Sequence, residues 1–260
     1  MTTYVAVVSG VLGLLIGSFL NVVVWRVPRG ESIVQPPSHC PRCDTQLKAR
    51  DNVPVLSWLL LGRRCRTCRE PISARYPLVE LVTGALFAGF AVKFGWHAVL
   101  PAYLYLAAVG VALALIDFDH HRLPDALTLP SYPVAVVLLG AAAVAEDGHT
   151  PFLRALWGLL ALLGFYALLW LVYPAGMGFG DVKLSGVLGL YLGWLGWGPL
   201  AVGAFSAFVL GGLVGIGVIL FAGGGRKTKV PFGPFMLLGT LIGILWGHSL
   251  AHAYTSLTTV

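Results

Sequence analysis

The chain has 260 residues, of which 57% are apolar and 11% charged, with a formal net charge of +6. A soluble domain carries about 25% charged residues to cover its surface, so this composition excludes one, and equally excludes disorder, collagen, coiled coil and a small disulfide scaffold. A lipid-facing surface needs no charge, which leaves an all-α polytopic membrane protein.

Eight apolar segments are predicted in chain order, near residues 4–24, 77–94, 99–116, 127–144, 152–173, 184–195, 200–221 and 232–250. Each approaches the roughly 20 residues that carry a helix across ~30 Å of hydrocarbon; the sixth is short and Gly-rich. The expected organisation is a first transmembrane helix (1–25), a cytoplasmic basic loop (26–76) and a seven-helix membrane core (77–260). No basic residue precedes the first apolar run, so a retained helix is expected there rather than a cleaved signal. Trp25, Arg26 and Arg29 are expected to anchor its inner end.

Between Arg26 and Arg75 stand ten bases and four acids, so this segment holds all of the excess charge and the remainder is neutral. Lys and Arg accumulate on the cytoplasmic side of a membrane protein. Placing the segment inside puts 15 of the 17 Lys and Arg there, leaving only Lys93 and Arg154 outside. Both termini are therefore expected outside. The charge then points to anionic lipid headgroups rather than to nucleic acid. Glycines Gly211, Gly212, Gly215, Gly217 and Gly223–Gly225 lie in an apolar run with no strand before it. They read as close helix packing and not as a phosphate loop.

All four cysteines fall in the basic loop, as Cys40-Pro-Arg-Cys43 and Cys65-Arg-Thr-Cys68, with 21 residues between the pairs. Two CxxC knuckles at this spacing suit tetrahedral thiolate coordination of zinc, which would fold a segment too small and polar to build its own core. Two disulfides are the alternative, disfavoured by a reducing cytoplasm.

Seven acids lie outside the loop. Carboxylates within membrane helices are costly and mark sites or wet cavities. Asp117 directly follows an apolar run, and Pro124 stops the helical pattern so that Asp125 is read as the cap of the next helix. Asp181 lies in Gly178-Phe-Gly-Asp181, where glycines let the backbone turn tightly. The topology brings Asp117 and Asp181 to the same cytoplasmic face. Two carboxylates at one level can share a proton, one activating water and the other polarising a carbonyl, as in aspartic proteases. Other readings stay open: Asp181 paired with Lys183 or Arg122, a metal on Asp117, His120 and His121, or a proton relay. Beyond a peptidase, the acids suit a proton-coupled transporter, and the knuckles suit a non-catalytic zinc-bearing assembly scaffold.

Six elements in order resemble the bacterial type IV prepilin leader peptidases, GxGD aspartic peptidases of the inner membrane. They are Gly17-Ser-Phe-Leu-Asn21 with Arg26-Val-Pro28, the paired CxxC loop, Arg75-Tyr-Pro-Leu-Val-Glu80, Asp117 to Asp125 as D-x(6)-P-D, Gly178-Phe-Gly-Asp181, and Pro231-Phe-Gly-Pro234. The resemblance implies that Asp117 and Asp181 are the catalytic pair. It implies cleavage of the short basic leader of prepilins or pseudopilins at the cytoplasmic face. It further implies N-methylation of the new N-terminus with S-adenosylmethionine, although no Gly-rich nucleotide loop shows that cofactor's site. Glu80 is a candidate for substrate binding or methyl transfer, and equally for a buried helix-pair acid.

Overall fold

The computed structural model describes residues 2–174, 176–221 and 230–258. Among these, every named element is helical: α1 (Thr2–Arg26), α2 (Leu56–Leu60), α3 (Arg75–Phe94), α4 (Leu100–His120), α5 (Asp125–Ala145), α6 (His149–Val172), α7 (Phe179–Leu195), α8 (Trp197–Phe221) and α9 (Gly233–Thr258). Seven are long and apolar enough to cross a membrane: α1, α3, α4, α5, α6, α8 and α9. The protein is a multi-pass membrane protein. The predicted segment at 184–195 is α7, whose 17 residues span about 25 Å, short of the ~30 Å of hydrocarbon. Every residue from Leu184 to Trp194 is buried, so α7 meets other helices on all sides and needs no lipid-matched length.

The chain divides into two compact units, one through Ala112 and one from Leu113. In the first, α1 lies along α3 on a seam of small residues. A Cβ on Gly13 would fall 2.8 Å from Gly84 Cα, and one on Gly17 would fall 2.7 Å from Glu80 Cα. Without a hydrophobic drive between helices in lipid, such backbone approach supplies the van der Waals contact that holds them. Phe94 stacks on Tyr103 at 4.2 Å and fixes α3 to α4.

In the second unit, α7 is clasped by α5 and α6. The Tyr132 hydroxyl donates to the Lys183 carbonyl at 2.6 Å. A Cβ on Gly193 would meet Arg154 O at 2.7 Å. Arg154 donates to the carbonyls of Gly193 and Trp194, at 2.8 and 2.6 Å, and so satisfies acceptors that the end of α7 leaves open. α8 and α9 meet through Gly239 and Gly243, whose added Cβ atoms would each come within 2.7 Å of α8 backbone.

Three sequence expectations change here. Asp125 is not a cap: α5 begins at Asp125 after Pro124, with no side-chain capping bond. Its carboxylate instead takes a 2.5 Å ion pair from Lys183, because a first-turn position points it across to α7. Arg26 does not reach outward as an anchor; it is buried, while Trp25 is exposed and Arg29 lies over the Trp25 ring at 3.6 Å. Of the α8 glycines, Gly211 packs against Phe232 and Phe235, but Gly212, Gly215 and Gly217 face open space. Gly223–Gly225, with Arg226, Lys227 and Lys229, lie outside the described residues.

Candidate functional site

Asp117 sits in the last turn of α4 and Asp181 in the first turn of α7, both within the second unit. Both are buried, at 5% and 7% exposure. Neither makes a salt bridge to Lys or Arg among the described residues; Lys183 is committed to Asp125, and His121 lies within electrostatic reach of Asp117. Their partners are backbone donors at the starts of two helices. Asp117 Oδ2 accepts from Gly233 N–H, the first residue of α9, at 3.0 Å. Asp181 Oδ2 accepts from Gly178 N–H, just before α7, at 3.1 Å. Helix N-termini present unsatisfied N–H groups and positive potential, so each carboxylate is fixed by backbone donors.

The two acids share one neighbourhood. A Cβ on Gly233 would lie 2.7 Å from Asp117 Oδ2 and 3.3 Å from Leu123 Cδ2, and a Cβ on Gly180 would lie 3.1 Å from Leu123 Cβ. Leu123 therefore touches the glycine beside each aspartate, and the charge of Asp117 acts on Asp181. A side chain at position 233 would press on the Asp117 carboxylate, which would have to shift.

An aromatic cluster sets the start of α9 in place. Phe232 packs on Phe208 at 5.3 Å and on Tyr166 at 6.3 Å, and Tyr166 packs on Phe208 at 5.5 Å. Tyr166 is buried and within electrostatic reach of Asp181. Sequence reading noticed Pro231-Phe-Gly-Pro234 only as a motif, and passed over Leu123 and Tyr166. Phe, Leu and Tyr in apolar runs carry no signal apart from packing, whereas the Gly-Pro step at a helix start is visible in the sequence.

The four cysteines come together in the first unit. Their Sγ atoms all lie within 4.8 Å of one another, and no other group of three or more His, Cys, Asp and Glu among the described residues converges in this way. All four are free thiols. Each knuckle repeats one backbone design. Asp44 N–H donates to Cys40 O at 2.9 Å and Cys40 N–H to Thr45 O at 3.0 Å; the second pair repeats this as Arg69 to Cys65 (3.1 Å) and Cys65 to Glu70 (2.8 Å). Asp44 and Arg69, the residues after each second cysteine, both take positive φ to make the turn. Sγ of Cys40 and Cys68 are 3.7 Å apart. Four sulfurs at 2.3 Å from a tetrahedral ion stand about 3.8 Å apart, so the four thiols, all within 4.8 Å, are close enough that they could hold a metal. The Thr45 hydroxyl beside Cys43 holds that thiol down at about 6.

Glu80 is buried on α3 in the first unit, and the Ser18 hydroxyl lies beside its carboxylate. It accepts from Val55 N–H at 2.7 Å. Val55 has φ of +60°, an uncommon conformation for a β-branched residue, so this bond holds a strained turn at the start of α2. The three predicted clusters thus fall into separate places: the aspartates in the second unit, the cysteines and Glu80 at different points of the first.

Two family models match the chain. The bacterial peptidase A24 N-terminal domain covers residues 11–94, and the type IV leader peptidase family covers residues 104–216. Among curated proteins, the chain is 35% identical to the prepilin leader peptidase/N-methyltransferase of Stutzerimonas stutzeri, across 94% of this chain and 91% of the relative. It is 38% identical to the protein of that name from Aeromonas hydrophila, across 93% and 90%. The Myxococcus xanthus protein of that name is 43% identical, across 86% of this chain and 66% of the relative. No solved structure matches. With its aspartates seated at two helix starts and its cysteines in paired knuckles, the chain belongs to the type IV leader peptidase family.

Proposed function

We propose that the protein cleaves the leader from prepilins or pseudopilins at the cytoplasmic face of the inner membrane, with Asp117 and Asp181 as the catalytic pair, and then methylates the new N-terminus. The observation that carries the cleavage reading is the pair itself: two buried carboxylates in one neighbourhood, each held by a backbone N–H and neither bridged to a Lys or Arg among the described residues. Like charges so placed share a proton. The ionised carboxylate takes a proton from water as the oxygen attacks the scissile carbonyl, and the protonated one donates to the carbonyl oxygen. When the tetrahedral intermediate collapses, the leaving amine takes the proton from the carboxyl that accepted one, and the other carboxylate takes back a proton from a gem-diol hydroxyl, so both acids return to their starting states. The helix-start N–H groups keep both acids in register through these exchanges.

The basic loop faces the cytoplasm in this reading, with both termini outside and anionic headgroups beside the loop's charge. A zinc ion held by Cys40, Cys43, Cys65 and Cys68 supplies structure there, not chemistry. S-adenosylmethionine, when bound, supplies the methyl group for the N-terminal amine. Glu80 serves the methyl-transfer half by holding the turn at Val55.

Replacement of Asp117 or Asp181 by Asn tests the reading in membranes with a co-expressed prepilin. Processing is expected to fall by at least ~10³-fold, with insertion and zinc content unchanged. A proton-coupled transporter or an inert scaffold would leave processing intact in both variants.

A further inference from the structure

One stretch of the basic loop, residues 53–60, carries an apolar face that the rest of the protein leaves open. On α2, Leu56, Leu59 and Leu60 stand at the spacing of a single helical stripe, and all three are exposed, Leu60 at 85%. Val53, just before them, is exposed as well. The remainder of α2 is fastened to the first unit, with the Trp58 indole N–H on Ile72 O at 3.0 Å.

The depth of this stripe follows from the spanning helices beside it. α3 has 20 residues, about 30 Å of helix, which matches the hydrocarbon thickness and puts Arg75 at the headgroup boundary. Glu80 is five residues further along, ~8 Å inside that boundary by the helical rise. The Val55 N–H, bonded to Glu80 Oε2 at 2.7 Å, brings the start of α2 to the same level. A second tie agrees: Asn52 shares an apolar crevice with Leu15, Phe19 and Val22 of the spanning α1. A helix lying in a membrane interface buries its apolar face about 5–10 Å below the headgroups. Bases flank the stripe on both sides. Lys48 and Arg50 precede it, Arg63 and Arg64 follow, and all four are exposed. Such long basic side chains reach from an apolar stem to phosphate.

We propose that α2 is an interfacial anchor that docks the basic loop on anionic phospholipid at the Arg26 end of α1. Leu56, Leu59 and Leu60 enter the acyl boundary, and Lys48, Arg50, Arg63 and Arg64 meet the phosphates. The second knuckle begins at Cys65, so the anchor also seats it beside the leaflet. An apolar peptide would also cover the leucines, but a stripe at this depth, rimmed by four bases, answers the lipid itself. The inference goes beyond leader cleavage and does not depend on it.

The test is photo-crosslinking of the full-length protein in nanodiscs of phosphatidylethanolamine and phosphatidylglycerol. p-Benzoylphenylalanine is placed at position 60 and, separately, at position 56, both exposed, and the adducts are identified by mass spectrometry. Adducts on phospholipid acyl chains are expected from both positions. Phosphatidylglycerol should be enriched among them about fivefold over its share of the bilayer. The combined Lys48→Gln, Arg50→Gln, Arg63→Gln and Arg64→Gln variant, which leaves the cysteines and α2 intact, should lose that enrichment and keep the acyl adducts. Absence of acyl adducts from both positions, in protein with wild-type zinc content, would overturn the anchor. So would transfer of the adducts to a co-reconstituted prepilin. Acyl adducts with no enrichment of phosphatidylglycerol would overturn the assignment of anionic lipid.

Discussion

The aspartate neighbourhood and the cysteine knuckles solve one problem in opposite ways. Both must hold polar atoms in fixed positions. The aspartates do so inside an apolar bundle, where glycine contacts at Gly233 and Gly180 and the Phe208–Phe232–Tyr166 cluster pack helix starts against them. The knuckles lie in a segment whose residues are mostly exposed and which builds no apolar core of its own. They are held by turns, by thiols that converge, and by surface contacts such as the Trp58 indole N–H on Ile72 O at 3.0 Å. The bundle preorganises its site by packing, and the loop by turns that bring its thiols together. A perturbation of one kind should therefore leave the other region largely unmoved.

After the aspartates themselves, the largest effect is expected at Gly233. Gly233→Val forces a side chain into the place of Asp117 Oδ2, and displacement of a reacting group by about 1 Å costs about 10²-fold. A loss of that order in kcat, with KM for a prepilin peptide within a few-fold and zinc content intact, is the expected result. Zinc removal is next and acts on the other region. Chelation should make residues 26–76 open to proteolysis while cleavage falls by less than about tenfold, because structural zinc contributes folding energy locally. Equal loss of both functions on chelation would break the contrast.

Acid should expose the same difference more gently. The Cys43 thiol is held down at about 6, below its value in an unfolded chain, so its contribution is present above the ordinary thiol range and lost as pH falls through about 6. In the metal-free protein, an alkylating reagent should label Cys43 ahead of Cys68. The smallest effect is expected at the loop surface. Arg66 pairs with Asp51 at 2.6 Å and holds that carboxyl below its usual range; the Asp51 side chain is largely covered, but the guanidinium is half exposed, so solvent screens the pair. Arg66→Ala should change stability by about 0.5 kcal/mol or less by denaturant titration.

Much of this was legible in the residues. Apolar runs about 20 residues long predict helices because lipid leaves the backbone no other way to satisfy itself. CxxC spacing predicts convergence because two thiols three residues apart must share a turn. Asp117 and Asp181 stood out because carboxylates are rare where water is scarce. What escaped detection depends on tertiary neighbours. Asp125 resembles a cap in sequence, yet Lys183, 58 residues away, claims it. Arg26 resembles an interfacial anchor until the carbonyls of Ser32 and Pro36 fold over it. The α7 segment looks like a span of reduced length, and only its neighbours reveal that it is enclosed by protein. Gly233 was visible, but its purpose lay in a carboxylate 116 residues earlier.

The most direct measurement is the mass of the substrate N-terminus after incubation with purified Asp181→Asn protein, in parallel with wild type. Two substrates are supplied: an intact prepilin peptide and the same peptide already lacking its leader. The expected outcome is no cleavage of the first and normal methylation of the second, because the proposed roles of Asp117 and Asp181 belong to peptide hydrolysis alone. Cleavage of the intact peptide by Asp181→Asn at a rate near wild type would contradict the assignment of the catalytic pair.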